Sequence, residues 1–218
     1  MSGTLPNNKF LNVVISSNTP TITTTSVSGM RQSKQIATQF WTIEADYVPL
    51  NIKESKEIMG FLAKQRNSLY DFDVVVPNIS HSSGSVNDVI ASNPALNTLM
   101  TVTSDVSAGN NTLSFDTAIN SSYFTDLNVD ASEGLVSGDF ITFTGHNKVY
   151  QVLDNVDFNG TGGGTFTVFP NLLSNISSGE EIIYNDVPFV VYNTQSAQDI
   201  GFTLGDTTEI TLTLQESI

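Results

Sequence analysis

The sequence predicts a mainly β protein: a β-sandwich core that carries one α-helix, with a small β-barrel or sandwich domain inserted into that core. Charged residues make up only 14% of the chain, and Ser, Thr, Asn and Gly are abundant, which is typical of β proteins with many turns. Short segments of alternating apolar and polar residues are separated by turn residues. One amphipathic helix pattern interrupts them. The length of 218 residues allows one large β domain or two small ones.

The composition also excludes several classes of function. The chain has no cysteine, which excludes disulfides, thiolate zinc sites and cysteine nucleophiles. No apolar run is long enough to cross a bilayer, and the N-terminal sequence lacks the basic start and apolar core of a signal peptide. We therefore expect a soluble protein that is made in a cytoplasm and does not insert into membranes.

The formal net charge of −14 is unevenly distributed along the chain. Residues 1–66 carry +3, whereas residues 67–218 carry −17 and contain a single basic residue, Lys148. An acidic body of this kind repels phosphates, so we expect no nucleic-acid partner. The asymmetry suggests head-to-tail contact between copies, although an acidic surface that only confers solubility is the simpler explanation.

The N-terminal segment predicts strands. Residues 9–27 are rich in β-branched side chains and are interrupted at Pro20. Residues 36–43 then alternate, with apolar side chains on both faces, which predicts a strand buried on both sides. Within it, Trp41 is interpreted as a core anchor rather than a ligand platform.

A helix is predicted near residues 52–66. Asn51 is a plausible N-cap, and Glu54 stands three residues later, as in a capping box. The apolar face at i, i+3 and i+4 consists of the predicted core anchors Ile58, Phe61 and Leu62. The basic side chains lie elsewhere on the surface: Lys53, Lys56, Lys64 and Arg66. After them, Asn67 tolerates the left-handed conformation that ends a helix.

From the helix onward the chain again predicts strands. One strand ends at Pro77, and the Ser/Asn-rich sequence from 78 to 94 is interpreted as a crossing between two modules. Strands follow on either side of a Gly-Asn-Asn turn and at 139–144, 148–154 and 165–169, and the glycine-rich stretch before the last of these is a hairpin tip. Residues 210–214 alternate as a closing strand. We find no heptads and no exact internal repeat.

These segments predict two domains. Residues 1–77 with 187–218 form the sandwich core, and residues 78–186 form the inserted β-rich domain. The division rests on the closing strand, which has no partner in a middle domain already supplied with strands.

Several sequence stretches occur in a familiar order. A strand with Trp41 is followed by Y-x-P-L, a helix with E-x-x-x-I-x-x-F-L-x-x-Q-R and a strand ending F-D-V-V-V-P. Later come SGDFITFTGHNKVYQVL, F-x-V-x-P-x-L and the closing LTLQE. Together they touch roughly a third of the chain. In this order they resemble tail proteins of tailed bacteriophages, in particular the distal tail (baseplate hub) type.

The resemblance implies a structural virion protein that is assembled in the host cytoplasm. Copies form a homo-oligomeric ring, commonly a hexamer, that joins the tail tube to the tail tip or baseplate, so the partners are the tube and hub proteins. The basic flank of the helix is the candidate subunit interface: Lys53, Lys56, Lys64 and Arg66. One position departs from the pattern, because Asn67 stands where similar proteins are expected to have glycine.

No catalytic, cofactor or metal site is predicted. His81 and His146 are the only histidines, and their spacing does not suit zinc. A Gly-x-Ser-x-Gly elbow is absent. Carboxylate pairs could serve a glycosidase or a structural calcium, but no twelve-residue calcium loop occurs, so we interpret them as solvated acids. These pairs are Asp71 with Asp73, Asp154 with Asp157, and Glu180 with Glu181.

Two other functions stay open. The first is a carbohydrate-binding module for host attachment, in which residues 78–186 bind a host glycan. Six tyrosines could line a sugar groove with Trp41, although their strand positions favour packing. The second is a hydrolase that acts on cell-wall glycans.

Overall fold

The structure, a computed structural model, describes residues 3–6, 9–66, 68–77, 79–96, 100–119, 121–158, 163–195, 201–203 and 207–218. The protein is mainly β, as predicted, and its antiparallel sheets form a half-barrel and a nearly closed barrel. The chain divides into two compact units, Met1–Val74 with Val190–Ile218 and Val75–Phe189. The boundaries expected from the sequence, after 77 and after 186, each lie three residues from these.

The first unit contains three sheets and, among its described residues, one helix. Its elements are β1 (Phe10–Asn18), β2 (Thr21–Thr25), β3 (Arg31–Gln35), β4 (Phe40–Tyr47), β5 (Leu50–Asn51), α1 (Ile52–Lys64), β6 (Phe72–Val75), β13 (Pro188–Asn193), β14 (Gly201–Thr203), β15 (Thr207–Glu209) and β16 (Thr211–Glu216). The strand orders are β1-β4-β16-β13-β6, β14-β15-β5 and β2-β3. The chain leaves this unit at β6 and returns at β13, which are neighbours in the five-stranded sheet.

The five-stranded sheet has one apolar face. In β4 the side chains of Trp41, Ile43, Ala45 and Tyr47 are buried, and in β16 Leu212 and Leu214 alternate with less buried residues, as predicted for the closing strand. The prediction that β4 is buried on both sides is wrong. On its other face Glu44 is exposed, and Phe40, Thr42 and Asp46 are only partly buried.

Helix α1 begins with the predicted capping box. The Glu54 backbone N–H donates to the Asn51 side chain at 2.9 Å, and the Asn51 N–H donates to the Glu54 carboxylate at 3.2 Å. Two N–H groups that lack intrahelical partners are thereby satisfied, which defines where the helix starts. At the other end Arg66 has a φ of +51°, while Asn67, the residue expected to make this turn, lies outside the described residues.

The predicted core anchors of α1 differ in burial. Ile58 and Leu62 are fully buried, and Phe61 is partly exposed with its ring edge-on to Phe72 at 5.3 Å. The helix also contacts the three-stranded sheet, where the Thr208 and Ser55 hydroxyls are 3.4 Å apart. None of the helices in the described part of the chain has the length and hydropathy needed to cross a bilayer.

The second unit is a barrel built from one six-stranded sheet. Its elements are α2 (Val86–Ser92), a 3-10 turn (Pro94–Leu96), β7 (Met100–Val102), β8 (Thr112–Thr117), α3 (Ser121–Leu127), a 3-10 turn (Ala131–Glu133), β9 (Phe140–Phe143), β10 (Tyr150–Val152), β11 (Gly163–Phe169) and β12 (Ile182–Ile183). The strand order is β12-β9-β10-β11-β8-β7. A bridge between Thr101 and Glu181 joins the two edge strands, which almost closes the barrel.

The Ser/Asn-rich segment that was interpreted as a crossing between modules follows the boundary after Val74, and its residues 79–93 belong to this unit. It contains α2, whose side chains Val86 and Val89 are fully buried in the barrel core together with the largely buried Ile90. The i, i+3, i+4 spacing of these three residues was a usable signal. It was concealed by the polar residues around it. Of the predicted glycine-rich hairpin tip, residues 159–162 lie outside the described residues.

Three turns in the barrel share one design, which the sequence analysis did not detect. They are turn A (107–110), turn B (136–139) and turn C (177–180). Each has a glycine with positive φ at its third position, +91°, +105° and +87° respectively. Each is closed by an N–H from its fourth residue to the carbonyl of its first. A side chain at that third position would be strained, which accounts for the repeated glycine.

Two further hydrogen bonds, which are equivalent in the three turns, tie each turn to a neighbouring segment. The glycine N–H donates to a carbonyl at 2.7–2.8 Å, and the N–H of the second turn residue donates to an Asx side chain at 2.8–3.0 Å. The Asx residues for turns A, B and C are Asn175, Asn155 and Asp105. Turns A and C are reciprocal. Asn175, which accepts from turn A, stands two residues before turn C, and Asp105, which accepts from turn C, stands two residues before turn A.

The two segments that form this reciprocal pair have similar sequence patterns. The sequence VTSDVSAGNNTL at 102–113 aligns with LLSNISSGEEII at 172–183, and the central residues Val106 and Ile176 form a β-bridge. Few residues are identical between the two segments. They share the hydrophobic positions, the Asx residue and the glycine.

Asp139, the last residue of turn B, anchors the segment that precedes α2. It is 5% exposed and accepts hydrogen bonds from the Ser82 hydroxyl (2.5 Å), the Ser83 N–H (2.8 Å) and the Val136 N–H (3.0 Å). A carboxylate can satisfy three donors at once, whereas an amide replaces one acceptor oxygen by a donor group. Asp139 therefore holds the chain that leads into α2, together with the Ser85 N–H, which donates to the Glu133 carbonyl at 3.0 Å.

We expect Asp139→Asn to lower the free energy of unfolding by about 3 kcal/mol, because buried donors lose their acceptor. Chemical unfolding followed by circular dichroism measures the change. Asp126→Asn is the matched control, since Asp126 is exposed on α3 and its replacement is expected to stay within about 0.5 kcal/mol. Equal stabilities of the two variants would contradict the anchoring role of Asp139.

Candidate subunit interface

The most exposed part of the first unit is an N-terminal arm, formed by β1 and the β2–β3 hairpin. Strand β1 lies at the edge of the five-stranded sheet and pairs only with β4 among the described strands. Every residue from Thr21 to Thr38, which includes both strands of the hairpin, is exposed. The hairpin therefore lacks packing against the rest of the described chain. A two-stranded hairpin is only marginally stable in water without such packing.

The arm presents apolar side chains to solvent. On the hairpin these are Ile22, Val27, Met30 and Ile36, with exposures of 54%, 110%, 65% and 58%. On β1, Leu11 and Val14 are also exposed. Monomeric proteins usually protect edge strands and rarely expose contiguous apolar patches. A partner that covers the arm would bury these side chains and pair the free edge of β1.

The arm is also basic. Before Glu44 the sequence contains Lys9, Arg31 and Lys34 and no acidic residue. The sequence predicts only ordinary strands here, because β-branched residues have the same pattern whether a strand is covered or exposed. The one available signal was the absence of acids over so long a segment.

The predicted basic flank of α1 is exposed as well. The side chains of Lys53, Lys56, Lys64 and Arg66 are all exposed, and none forms an ion pair with the residues that the structure describes. Lys53 and Lys64 are eleven residues apart, about three helical turns, so they share one side of the helix. Arg66 lies over the ring of Tyr70 at 5.9 Å. Their role as an interface stays a prediction.

The two histidines are in separate surroundings. His81 Nε2 is 3.7 Å from Asp186, with both side chains largely exposed. His146 Nε2 is 3.0 Å from Glu180, and its ring lies edge-on to Phe143. Among the described residues there is no group of three or more His, Asp or Glu side chains placed to hold a metal ion.

Three members of the carboxylate pairs are close to hydroxyl or N–H donors, and two others are exposed. Glu180 accepts from the Ser177 N–H within turn C, and Glu181 is 3.4 Å from the Thr144 hydroxyl. Asp154 and Asp157 are exposed beside β10, and Asp71 accepts from the Ser217 hydroxyl at 2.9 Å. These contacts are those expected of acids at turns and sheet edges.

Most of the aromatic residues proposed for a sugar groove pack inside the protein. Trp41, Tyr47, Tyr150 and Tyr184 are each no more than 4% exposed. Burial raises the pKa of Tyr184 to about 12, and its hydroxyl has no hydrogen-bond partner among the described residues. Tyr70, by contrast, is 46% exposed. Glycan binding by the second unit stays a prediction without support from these side chains.

Asp73 in β6 is an exception among the acids. Its Oδ1 atom is buried and has no hydrogen-bond partner within the described residues, and burial raises the pKa of its carboxyl above the usual value. The folded state therefore binds a proton on Asp73 more tightly than the unfolded state does. The stabilising contribution of the protonated form is complete below the ordinary pKa of 3.8 and is lost as the pH rises through the higher folded pKa.

We therefore expect Asp73→Asn to raise the melting temperature at pH 7, and this gain to shrink as the pH falls toward 3.5. Thermal unfolding of both proteins across that pH range measures the difference. Glu57→Gln, which removes an exposed charge from α1, controls for the change in net charge. A variant that is less stable at pH 7 would show that the Asp73 carboxylate is not penalised by burial.

Comparison of the chain with protein-family models finds no match, and comparison with curated proteins finds none either.

Proposed function

We propose that the chain is a structural protein of a bacteriophage tail, whose copies assemble into a ring between the tail tube and the tail tip or baseplate. The observation that carries the proposal is the N-terminal arm. Its hairpin and edge strand expose apolar side chains that nothing else in the described chain covers. Surfaces of this kind are normally buried by association.

The charge distribution supports association between identical copies. The arm is basic, and residues 67–218 carry a net charge of −17. Opposite charges on different parts of one chain favour a head-to-tail contact, in which each copy uses two different surfaces. Such a contact generates a ring when its rotation closes.

The assignment to a phage tail rests on the resemblance of the sequence. Much of the sequence that carries it lies in regular elements: Trp41 in β4, most of the helix pattern in α1, F-D-V-V in β6, the F-I-T-F segment in β9, and LTLQE in β16. Residues 48–49, 144–149 and 170–172 of the same stretches lie in connecting segments.

The first test removes the hairpin. The Ile36 N–H donates to the Pro20 carbonyl at 3.0 Å, so a Gly-Gly link in place of residues 21–35 can join the ends without strain. We expect the full-length protein to sediment as a discrete oligomer and the deletion variant as a monomer with unchanged circular dichroism. A monomeric full-length protein at micromolar concentration, with no rings in negative-stain micrographs, would overturn the proposal.

The second test addresses the flank of α1. If this flank meets acids of a neighbouring copy, Lys64→Glu combined with Arg66→Glu lowers the salt concentration at which the oligomer dissociates. Mass measurement across ionic strength provides the readout, and Lys53→Glu with Lys56→Glu tests the other end of the helix. Unchanged salt tolerance in both variants would exclude the flank as an interface.

A further inference from the structure

A pocket of about 270 Å³ lies in the first unit, where β1 begins, β4 ends and β16 starts. We call it the socket. Its apolar wall consists of Leu11, Pro49 and Ile210, and its polar lining includes Asp46, Tyr47 and Glu209. Two carboxylates beside an apolar wall form a site for a cationic side chain with an aliphatic stem.

The socket is shaped by a β-bulge. In the β1–β4 ladder Phe10 pairs with Tyr47 and Asn12 pairs with Asp46, so Leu11 is the extra residue. Bulges at sheet edges re-aim a side chain, and Leu11 is 69% exposed at the rim of the pocket.

The polar side of the socket offers hydrogen-bond acceptors. Asp46 Oδ1 accepts from the Thr211 hydroxyl at 2.8 Å, and among the described residues no donor reaches its other oxygen. The exposed Glu209 provides the second carboxylate of the lining. A guanidinium, with five donors in a planar fork, suits this set better than an ammonium.

We propose that the socket receives the β2–β3 hairpin of a second copy of this chain, with Arg31 directed at Asp46 and Glu209. This inference rests on the proposed self-assembly and names its contact. The hairpin carries Arg31 next to the exposed Met30, in a segment without acids. The occupant thus supplies both an arginine and an apolar neighbour, which complement the two sides of the socket.

The positions of the hairpin and the socket require two copies. In the β1–β4 ladder Phe10 pairs with Tyr47 at the socket, and Asn18 pairs with Phe40 at the start of the hairpin. Seven to eight strand residues separate these ends, which is roughly 25 Å. A projection at one end of a sheet and a recess at the other form a heterologous contact, the type that generates rings.

The absence of cysteine makes the contact directly testable. Leu11→Cys places one thiol at the socket and Met30→Cys places one on the hairpin, and the two variants are mixed and mildly oxidised. We expect covalent dimers that contain one copy of each variant. Met30→Cys mixed with Lys64→Cys on α1 is the control, and it is expected to cross-link at least tenfold less.

Charge exchange provides the second measurement. Arg31→Glu is expected to raise the concentration needed for assembly roughly tenfold, an amount that corresponds to about 1.4 kcal/mol. Lys34→Glu on the same strand is expected to change the concentration needed for assembly less. The double variant Arg31→Glu with Glu209→Arg is expected to restore assembly. If oligomers form, but Leu11→Cys does not cross-link to Met30→Cys and the Arg31→Glu with Glu209→Arg variant does not restore assembly, the proposed socket contact is refuted. The proposed function would then still stand. A protein that never oligomerises would instead refute the proposed function.

Discussion

The first unit depends on the pairing of the last strand, β16, with β4. Strand β16 lies between β4 and β13, so the five-stranded sheet is continuous only when the C-terminal residues have taken their place. The contact aligns Leu212 with Ala45 and Leu214 with Ile43, and all four side chains are buried. At its end the buried carboxylate of Glu216 accepts the Trp41 N–H at 3.1 Å. The second unit is consequently an insertion between two halves of a sheet that must meet.

How far the sequence predicts this fold depends on the range of the interactions. Helix α1 was predictable because its cap, apolar face and basic end are all local, and the strand alternation of residues 210–214 identified β16. The position of α2 was not predictable, since Asp139 holds the preceding segment from more than fifty residues away. The second face of β4 was misjudged because alternation shows which side chains share a face, and not whether anything covers it.

The candidate interface shows the same limit. The basic residues of α1 form a charge cluster that is visible in the sequence, whereas the arm has the sequence pattern of strands within a sandwich. Only the structure distinguishes a covered strand from an exposed one, and the arm, the bulge at Leu11 and the pocket beside it all lie along one ladder. The proposed contact between copies would bury the exposed apolar groups on the arm and pair the acids in the pocket.

The reciprocal turns of the barrel have a consequence for how this protein can change. Asp105 serves turn C and Asn175 serves turn A, so each of the two segments completes the hydrogen bonds of the other. A substitution at either Asx residue leaves an N–H without its acceptor on the opposite segment. Replacements at these two sites are therefore expected to show epistasis with substitutions in the turns that they serve.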